Sequence, residues 1–108
     1  MHSDLDWIEC LLHSPVFTAQ RRVAGRRAPD DQCVRALLVT LEAHHDRLAR
    51  RLLEPVLGAP AWRLRGILAD VQRLLNVDGY QVLLVDDISG TVALNRQLLN
   101  IQFQLEDV

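Results

Sequence analysis

The sequence predicts a mainly α-helical domain with one small β-hairpin near its C-terminal end. Three observations lead to this prediction. Apolar residues recur at the spacing of an amphipathic helix through most of the chain. The run Gly58-Ala59-Pro60 breaks this pattern just before its strongest helical segment. After Gly79 the period changes to that of two short strands, which are joined by a polar loop.

Residues 1–29 are expected to form two helices and a basic loop. Helical spacing indicates the first helix, whose apolar residues are Leu5, Ile8, Leu11 and Leu12. Ser14-Pro15 then starts the second helix, because Ser is a good N-cap and Pro is tolerated at the first helical position. Gly25 suits the left-handed backbone at the end of that helix.

Two further helices are predicted from their caps and apolar faces. Asp30 can cap a helix whose apolar face is Val34, Leu37, Leu38 and Leu41. From Ala61 a strong helix follows, and its inward residues are Leu64, Leu68, Val71 and Leu75. Asn76 is a plausible C-cap for this second helix.

The segment between these two helices allows two interpretations. The helical period could continue through Leu48 and Leu52 as one long helix. Alternatively, the helix ends near His44-His45 and a short helix covers about residues 50–57. Pro55 is awkward for the short helix, because a proline inside a helix removes one hydrogen bond. The pattern alone leaves both interpretations open.

The C-terminal part is predicted to contain a hairpin at about residues 81–94. Residues 81–85 (QVLLV) and 91–94 (TVAL) have the composition of strands, and residues 86–90 contain the polar and Gly residues of a hairpin loop. Asn95 can cap a last short helix.

This order of helices, break, helix and hairpin is that of a winged helix-turn-helix preceded by N-terminal helices. We therefore interpret residues 1–108 as a single domain. Residues 1–29 would supply the N-terminal helices and the basic loop. Residues 30–108 would form a winged-helix-like unit with its hairpin and a short C-terminal helix.

Composition narrows the class of protein. A chain of 108 residues that is 49% hydrophobic is typical of one globular domain, and its net charge of −2 gives no overall attraction to nucleic acid or acidic membranes. No apolar run reaches the roughly 18 residues of a membrane span, and the first residues lack the basic region of a signal peptide. We therefore expect a cytoplasmic protein without a membrane partner. Cys10 and Cys33 are expected to be buried free thiols.

Several stretches resemble a known family. The run RGILADVQRLLNVD, residues 65–78, and the closing stretch TVALNRQLLNIQF, residues 91–103, resemble the C-terminal segment of PglZ. PglZ is the alkaline-phosphatase-like protein of phage growth limitation and the related type 2 BREX systems. The earlier stretches SPVF at residues 14–17 and APDD at residues 28–31 are also similar to that family.

The resemblance implies that the chain is one domain of a larger phage-defence protein. The phosphatase domain of such proteins coordinates metal in the region that precedes this segment, so no catalytic residue is carried over. The resemblance also favours the broken helix, with a short strand or turn near Arg47-Leu48. It implies that Leu53 and Leu57 are core positions.

The sequence gives little support for a catalytic site or a metal site. None of the three serines lies in a nucleophile elbow, and the glycines are scattered singly rather than in a phosphate-binding loop. Cys10 and His13 form half of a zinc motif without a second half, and the adjacent His44 and His45 point in different directions on a helix. We expect no catalytic residue, metal, cofactor or small-molecule substrate.

A nucleic-acid interface is a second hypothesis. In a winged helix-turn-helix the helix after the turn enters the major groove. Residues that could read bases or bind phosphate on that helix are Trp62, Arg63, Arg65 and Arg73. Backbone contacts could come from Arg47, Arg50 and Arg51. Three features oppose this hypothesis: the acidic hairpin tip at Asp86-Asp87, which we expect to be solvated, Asp70 within the helix, and the slightly negative net charge.

A second group of arginines lies between the predicted N-terminal helices and the rest of the chain. Its members are Arg21, Arg22, Arg26 and Arg27. They could belong to a solvated loop that pairs with Asp4, Asp6 or Glu9, or they could bind an acidic partner surface. The sequence does not decide between these alternatives.

The function predicted from these observations is that of a non-catalytic accessory domain. It would dock the phosphatase-like part of a phage-defence protein onto a partner. Partners would be other domains of the parent protein, other phage-defence proteins, or DNA. The alternative is a free-standing transcription regulator that reads DNA with the helix from Ala61.

Overall fold

The computed structural model describes residues 6–105, without the side chain of Asp6. It is mainly helical and contains a small antiparallel sheet. The described helices are α1 (Asp6–Leu12), α2 (Pro15–Ala24), α3 (Asp31–Ala43), α4 (Leu53–Leu57), α5 (Ala61–Leu75) and α6 (Arg96–Gln102). The strands are β1 (Arg47–Ala49), β2 (Leu83–Asp86) and β3 (Thr91–Leu94). The predicted apolar position Leu5 lies outside the described residues.

Helix α2 begins and ends where local sequence signals predicted. The Ser14 hydroxyl accepts a hydrogen bond from the Val16 backbone N–H at 3.2 Å, and Pro15 is the first residue of α2. The same hydroxyl donates to the Phe103 carbonyl at 3.2 Å, which ties the start of α2 to the C-terminal helix. Gly25 ends α2 with a φ of 63°, a value that glycine adopts without strain. The predicted cap and stop are both confirmed.

Helix α3 ends before β1, so the long-helix interpretation is wrong. The Asp30 carboxylate caps α3 by accepting from the Cys33 N–H at 2.8 Å. After Ala43 the backbone turns left-handed at His45 and Asp46, with φ values of 57° and 66°. The Asp46 N–H donates to the Leu41 carbonyl at 2.7 Å, and this bond closes the turn. A continuous helix cannot contain two such residues.

The strand and short helix that follow agree with the interpretation in which the helix ends near His44-His45. β1 covers the position near Arg47-Leu48 that the resemblance implied. The predicted short helix at about residues 50–57 is observed as a 3-10 helix at Arg50–Leu52 that continues directly into α4. Pro55 lies in the first turn of α4, where backbone N–H groups have no partner within that helix. Leu53 is fully buried and Leu57 packs against the core, as expected.

The sheet has the order β1–β3–β2, with both pairs antiparallel. The predicted hairpin is confirmed, and β1 adds a third strand to it. Leu83, Val92 and Leu94 are buried on the inner face of the sheet, and Leu48 joins them from β1. Because side chains alternate along a strand, Arg47 and its cross-strand neighbours Ala93 and Leu84 lie on the outer face.

One hydrophobic core is shared by all the described helices and strands. The predicted apolar faces of α3 and α5 are buried, as are Ile8 and Phe17 of the N-terminal helices. Cys10 is exposed, so the prediction of a buried thiol there is wrong, because α1 buries Ile8 and Leu11 instead. Cys33 is partly buried, and this burial raises the pKa of its thiol.

The C-cap of α5 joins this helix to the hairpin. Asn76, the predicted C-cap residue, donates from its side-chain amide to the Leu83 carbonyl at 3.1 Å and accepts from the Leu83 N–H at 2.8 Å. Gln72 donates to the same carbonyl at 3.1 Å. Both backbone groups of Leu83 are therefore satisfied on the side of β2 that faces away from β3. These bonds fix the position of the hairpin relative to α5.

We expect Asn76→Ala to lower the free energy of unfolding by about 1–3 kcal/mol, because both backbone groups of Leu83 lose a partly buried partner. Urea unfolding measures the change. Asn100→Ala is the control, since Asn100 is also partly buried and no hydrogen bond of its side chain lies within residues 6–105. Equal losses in the two variants would contradict the assigned role of Asn76.

An ionic cluster joins α1, α3 and α6. The Arg96 guanidinium stacks on the Trp7 ring, 3.7 Å from its centroid, and binds the carboxylates of Glu42 and Asp46. Burial raises the pKa of Asp46 even though Arg96 opposes the shift. His45 lies close enough to add a small opposing effect.

The raised pKa of Asp46 predicts a pH dependence. In the window above the ordinary Asp pKa of about 3.9, the folded state holds the proton on Asp46 more tightly than the unfolded state does. Below about pH 3.9, Asp46 therefore makes its full contribution to the free energy of unfolding. This contribution is lost as the pH rises through the raised pKa of Asp46 in the folded state. Asp46→Asn should gain stability relative to the unmodified chain as pH rises from 4 to 7, by urea unfolding. Asn also tolerates the left-handed backbone at this position.

Asp78→Asn is the matched control, because Asp78 has the same left-handed backbone but an exposed side chain. A stability difference between Asp46→Asn and the unmodified chain that does not vary with pH would contradict the prediction.

Candidate interaction surfaces

Helix α5 presents one exposed stripe between two neighbouring elements. Its buried residues are Leu64, Leu68, Val71, Leu74 and Leu75. α2 packs against α5, and β2 packs against it as well. Helical spacing leaves a stripe at positions i, i+4, i+7 and i+11, which are Trp62, Gly66, Ala69 and Arg73. Trp62 is 79% exposed, so its indole is available to a partner.

Two of the arginines predicted to contact DNA are held by carboxylates of the chain itself. Arg73 pairs with Asp70 one turn earlier on α5, at 2.8 Å. Arg50 pairs with Asp87 at the hairpin tip, at 2.6 Å, and its side chain is only 17% exposed. Asp70 and Asp87, two of the three acidic residues that opposed DNA binding in the sequence, thus also neutralise two of the candidate cations.

The hairpin tip is ordered by Asp86. Its carboxylate accepts from the backbone N–H groups of Ser89 and Ile88. The Ser89 side chain lowers the pKa of Asp86 most, these two N–H groups lower it further, and Arg47 has a smaller effect. Asp86 and Asp87 are both exposed, as expected for a solvated tip, and Asp87 is in addition bound by Arg50. Ile88 is completely exposed at the turn. Sequence reasoning missed Ile88, although a single large apolar residue inside a polar loop was a usable signal.

Depressions in the surface connect α5 to the hairpin. One, of about 180 Å³, lies between Arg65 on α5 and Asp87 on the hairpin. Another, of about 230 Å³, is lined by Ala61 at the start of α5 and by Ser89 at the turn. Trp62 and Ile88 are the chain neighbours of these last two residues. We call Trp62, Arg65, Ala69, Asp87 and Ile88 the α5–hairpin face.

The remaining predicted cations lie in different places. Arg65 belongs to the α5–hairpin face, and Arg51 lines the depression at the start of α5. Arg63 is exposed on α5 outside the stripe that contains Trp62. Arg47 lies on the outer face of the sheet, where its charge acts on Asp86. The structure thus brings Arg50, Arg51 and Arg65 together around the two depressions, whereas Arg47 and Arg63 lie elsewhere.

The four arginines at the end of α2 and in the turn after it also differ in their contacts. Arg21 pairs with Asp31 at 2.6 Å, donates to the Pro29 carbonyl at 2.8 Å and stacks over Phe17. Glu9, one of the three carboxylates that could have paired with this group, instead binds Arg35 through two hydrogen bonds of 2.8 and 3.1 Å. The side chains of Asp4 and Asp6 lie outside the described residues. Arg22, Arg26 and Arg27 are exposed.

The histidine and cysteine side chains do not gather into a cluster of ligands. In residues 6–105, no three side chains of His, Cys, Asp or Glu come together in a way that could hold a metal ion. A ring nitrogen of His13 lies 2.8 Å from the Glu9 carbonyl oxygen, and one of His44 lies 2.9 Å from that of Thr40. No helix in the described part of the chain is long and apolar enough to cross a membrane.

Comparison with known proteins gives one match. The family model of the BREX system PglZ C-terminal domain matches residues 2–104. No curated protein and no solved structure matches the chain.

The acidic hairpin tip predicts an effect on DNA affinity. We expect Asp87→Asn to tighten non-specific binding of duplex DNA at low salt by about threefold, because it removes a negative charge and releases Arg50. Fluorescence anisotropy over a salt series measures the change. Asp78→Asn makes the same change in net charge away from the hairpin, so an equal gain in that variant would rule out a specific effect of the tip.

Proposed function

Because the chain belongs to the family of BREX system PglZ C-terminal domains, we propose that it is an accessory docking domain that binds a partner protein through the α5–hairpin face. The matched part of PglZ is its C-terminal domain and not its phosphatase-like part. Any chemistry of the parent protein would then lie elsewhere, and this domain would bring that chemistry to a partner in phage defence. It would act in the cytoplasm.

We further propose that residues 30–108 form a winged helix-turn-helix. The order α3, β1, α4, α5, β2, β3 and the sheet order β1–β3–β2 support this assignment. α5 would then be the recognition helix, and the hairpin would be the wing. A fold alone does not fix what such a helix recognises, so its exposed side chains must decide.

The composition of the α5 stripe favours a protein over DNA. Base reading requires side chains that donate or accept hydrogen bonds, and Gly66 and Ala69 provide none. Arg73, at the end of the stripe, is paired with Asp70. Arg65 belongs to the α5–hairpin face, and no described carboxylate forms an ion pair with it. It can therefore bind guanine or phosphate without first losing such a partner.

The exposed apolar residues of the same face are the observation that carries the proposal. Trp62 is 79% exposed and Ile88 is 100% exposed, on the two elements that border the depressions. Water contact with such large apolar side chains is unfavourable, and their burial against a partner would be favourable. Tryptophan and arginine are the residues most enriched at the energetic centres of protein interfaces, and Trp62 and Arg65 supply both. A partner with an apolar surface and a carboxylate near Arg65 would fit this face.

We expect Trp62→Ala and Ile88→Ser each to raise the Kd for the partner about tenfold, because each removes a large apolar contact from the interface. The first partner to test is the phosphatase-like remainder of a PglZ protein, and the other proteins of the same BREX system follow. Titration calorimetry measures the affinity.

Ile101→Ser is the matched control for Ile88→Ser, since Ile101 is also a strongly exposed isoleucine, on α6. An equal loss in this control, or full affinity in Trp62→Ala and Ile88→Ser, would contradict docking through the α5–hairpin face.

DNA binding is the second candidate, favoured by the exposure of Arg63 and Arg65 on α5. It predicts sequence-specific binding of duplex DNA with a steep salt dependence, weakened about tenfold or more in Arg65→Ala. That result, with no effect of Ile88→Ser on any protein partner, would replace the docking proposal.

A further inference from the structure

We infer that the C-terminal end of α2 and the turn after it form a second docking surface, which binds an acidic segment of a partner protein. This basic α2 surface consists of Arg22, Val23, Arg26 and Arg27. It is independent of the α5–hairpin face and rests on different observations.

The turn that carries the surface is held in place by Arg21. The guanidinium of Arg21 joins α2 to the start of α3 through Asp31, and it also binds the Pro29 carbonyl. The Ala28 N–H donates to the Gly25 carbonyl at 3.2 Å, which closes the turn directly after α2. The three other arginines therefore project from a defined backbone and not from an extended loop.

The carboxylates closest in the sequence are already occupied. Asp31 is bound by Arg21, and Asp30 accepts the capping hydrogen bond from the Cys33 N–H. Among the described side chains of residues 7–105, no carboxylate forms an ion pair with Arg22, Arg26 or Arg27. These three arginines are exposed and lie within six residues of one another, so they form a concentrated positive charge on this turn.

An apolar side chain at the centre of the surface indicates which kind of acid fits. Val23 is 85% exposed and lies between the arginines in sequence. A phosphate group offers no apolar surface to cover Val23, whereas an acidic peptide with aliphatic residues offers both a carboxylate and an apolar side chain. Arginine also binds carboxylates in a bidentate geometry that supplies specificity. The net charge of −2 gives nucleic acid no general attraction to the chain.

The surface is separated from the α5–hairpin face along α5. Gln20 of α2 donates to the Arg73 carbonyl at 3.4 Å, so α2 contacts the C-terminal end of α5. Trp62 lies eleven residues earlier, about 17 Å along the helix at 1.5 Å per residue. Two partners, or two parts of one partner, can therefore engage the domain together.

Chemical-shift mapping of the isotope-labelled chain tests the inference. The probe is a short peptide of alternating Glu and Leu with blocked ends. A matched peptide with Gln in place of Glu and a short DNA duplex are the comparison probes. We expect the acidic peptide to shift backbone resonances mainly at residues 22–27. The Gln peptide should shift none of them, and the duplex should not displace the acidic peptide.

Substitutions identify which side chains bind the acidic peptide. The triple variant Arg22→Gln, Arg26→Gln and Arg27→Gln should weaken peptide binding about tenfold or more. Val23→Ser, which changes no charge, should weaken it about threefold. The control is Arg47→Gln, Arg51→Gln and Arg63→Gln, which makes the same charge change at exposed arginines that belong to neither proposed surface and should leave the affinity unchanged.

Three results would overturn the inference. The first is an equal loss in the control triple variant, and the second is full affinity in Val23→Ser. The third is that the duplex displaces the peptide even when the duplex is present at the lower concentration. That result would assign the surface to nucleic acid. None of these results bears on binding through Trp62 and Ile88, so the docking role of the α5–hairpin face is tested separately.

Discussion

The hydrogen bonds between Asn76 and Leu83 are the constraint on which the surface geometry depends. A hairpin of two four-residue strands is not stable by itself in water, so it needs a third strand or packing against a helix. β1 supplies the third strand, and the Asn76 amide attaches the hairpin to α5 by taking the place of a neighbouring strand along one residue of β2. The depressions between α5 and the hairpin follow from that attachment. The approach of Arg50 to Asp87 comes from β1, because the Arg50 N–H, directly after that strand, donates to the Gly90 carbonyl at 2.7 Å.

Internal ion pairs decide which charges a partner meets. Arg21, Arg50 and Arg73 are each paired with a carboxylate of the chain, and all three had been candidates for external binding. An ion pair at the surface adds little to stability, yet it cancels the field that would attract a phosphate or an acid. For this reason the exposed apolar residues Trp62 and Ile88 are better candidates for binding a partner than these three arginines.

The two proposed surfaces suit an accessory domain. The α5–hairpin face offers an apolar contact of the kind that holds a folded partner, and the basic α2 surface offers charge around a single valine. They share α5 as a rigid connection, because α2 contacts its C-terminal end and the hairpin borders its N-terminal half. In the proposed docking role, the two surfaces would together fix the orientation of the domain against a partner.

The sequence by itself determined the features that depend on neighbouring residues. Caps at Ser14 and Asp30, the stop at Gly25 and the buried faces of α3 and α5 need only helical spacing and local hydrogen bonds. Tertiary structure decided the rest. The end of α3 depends on β1 pairing with β3, more than forty residues later in the chain. The choice among carboxylates for each arginine is likewise set by contacts between distant segments, which no local pattern encodes.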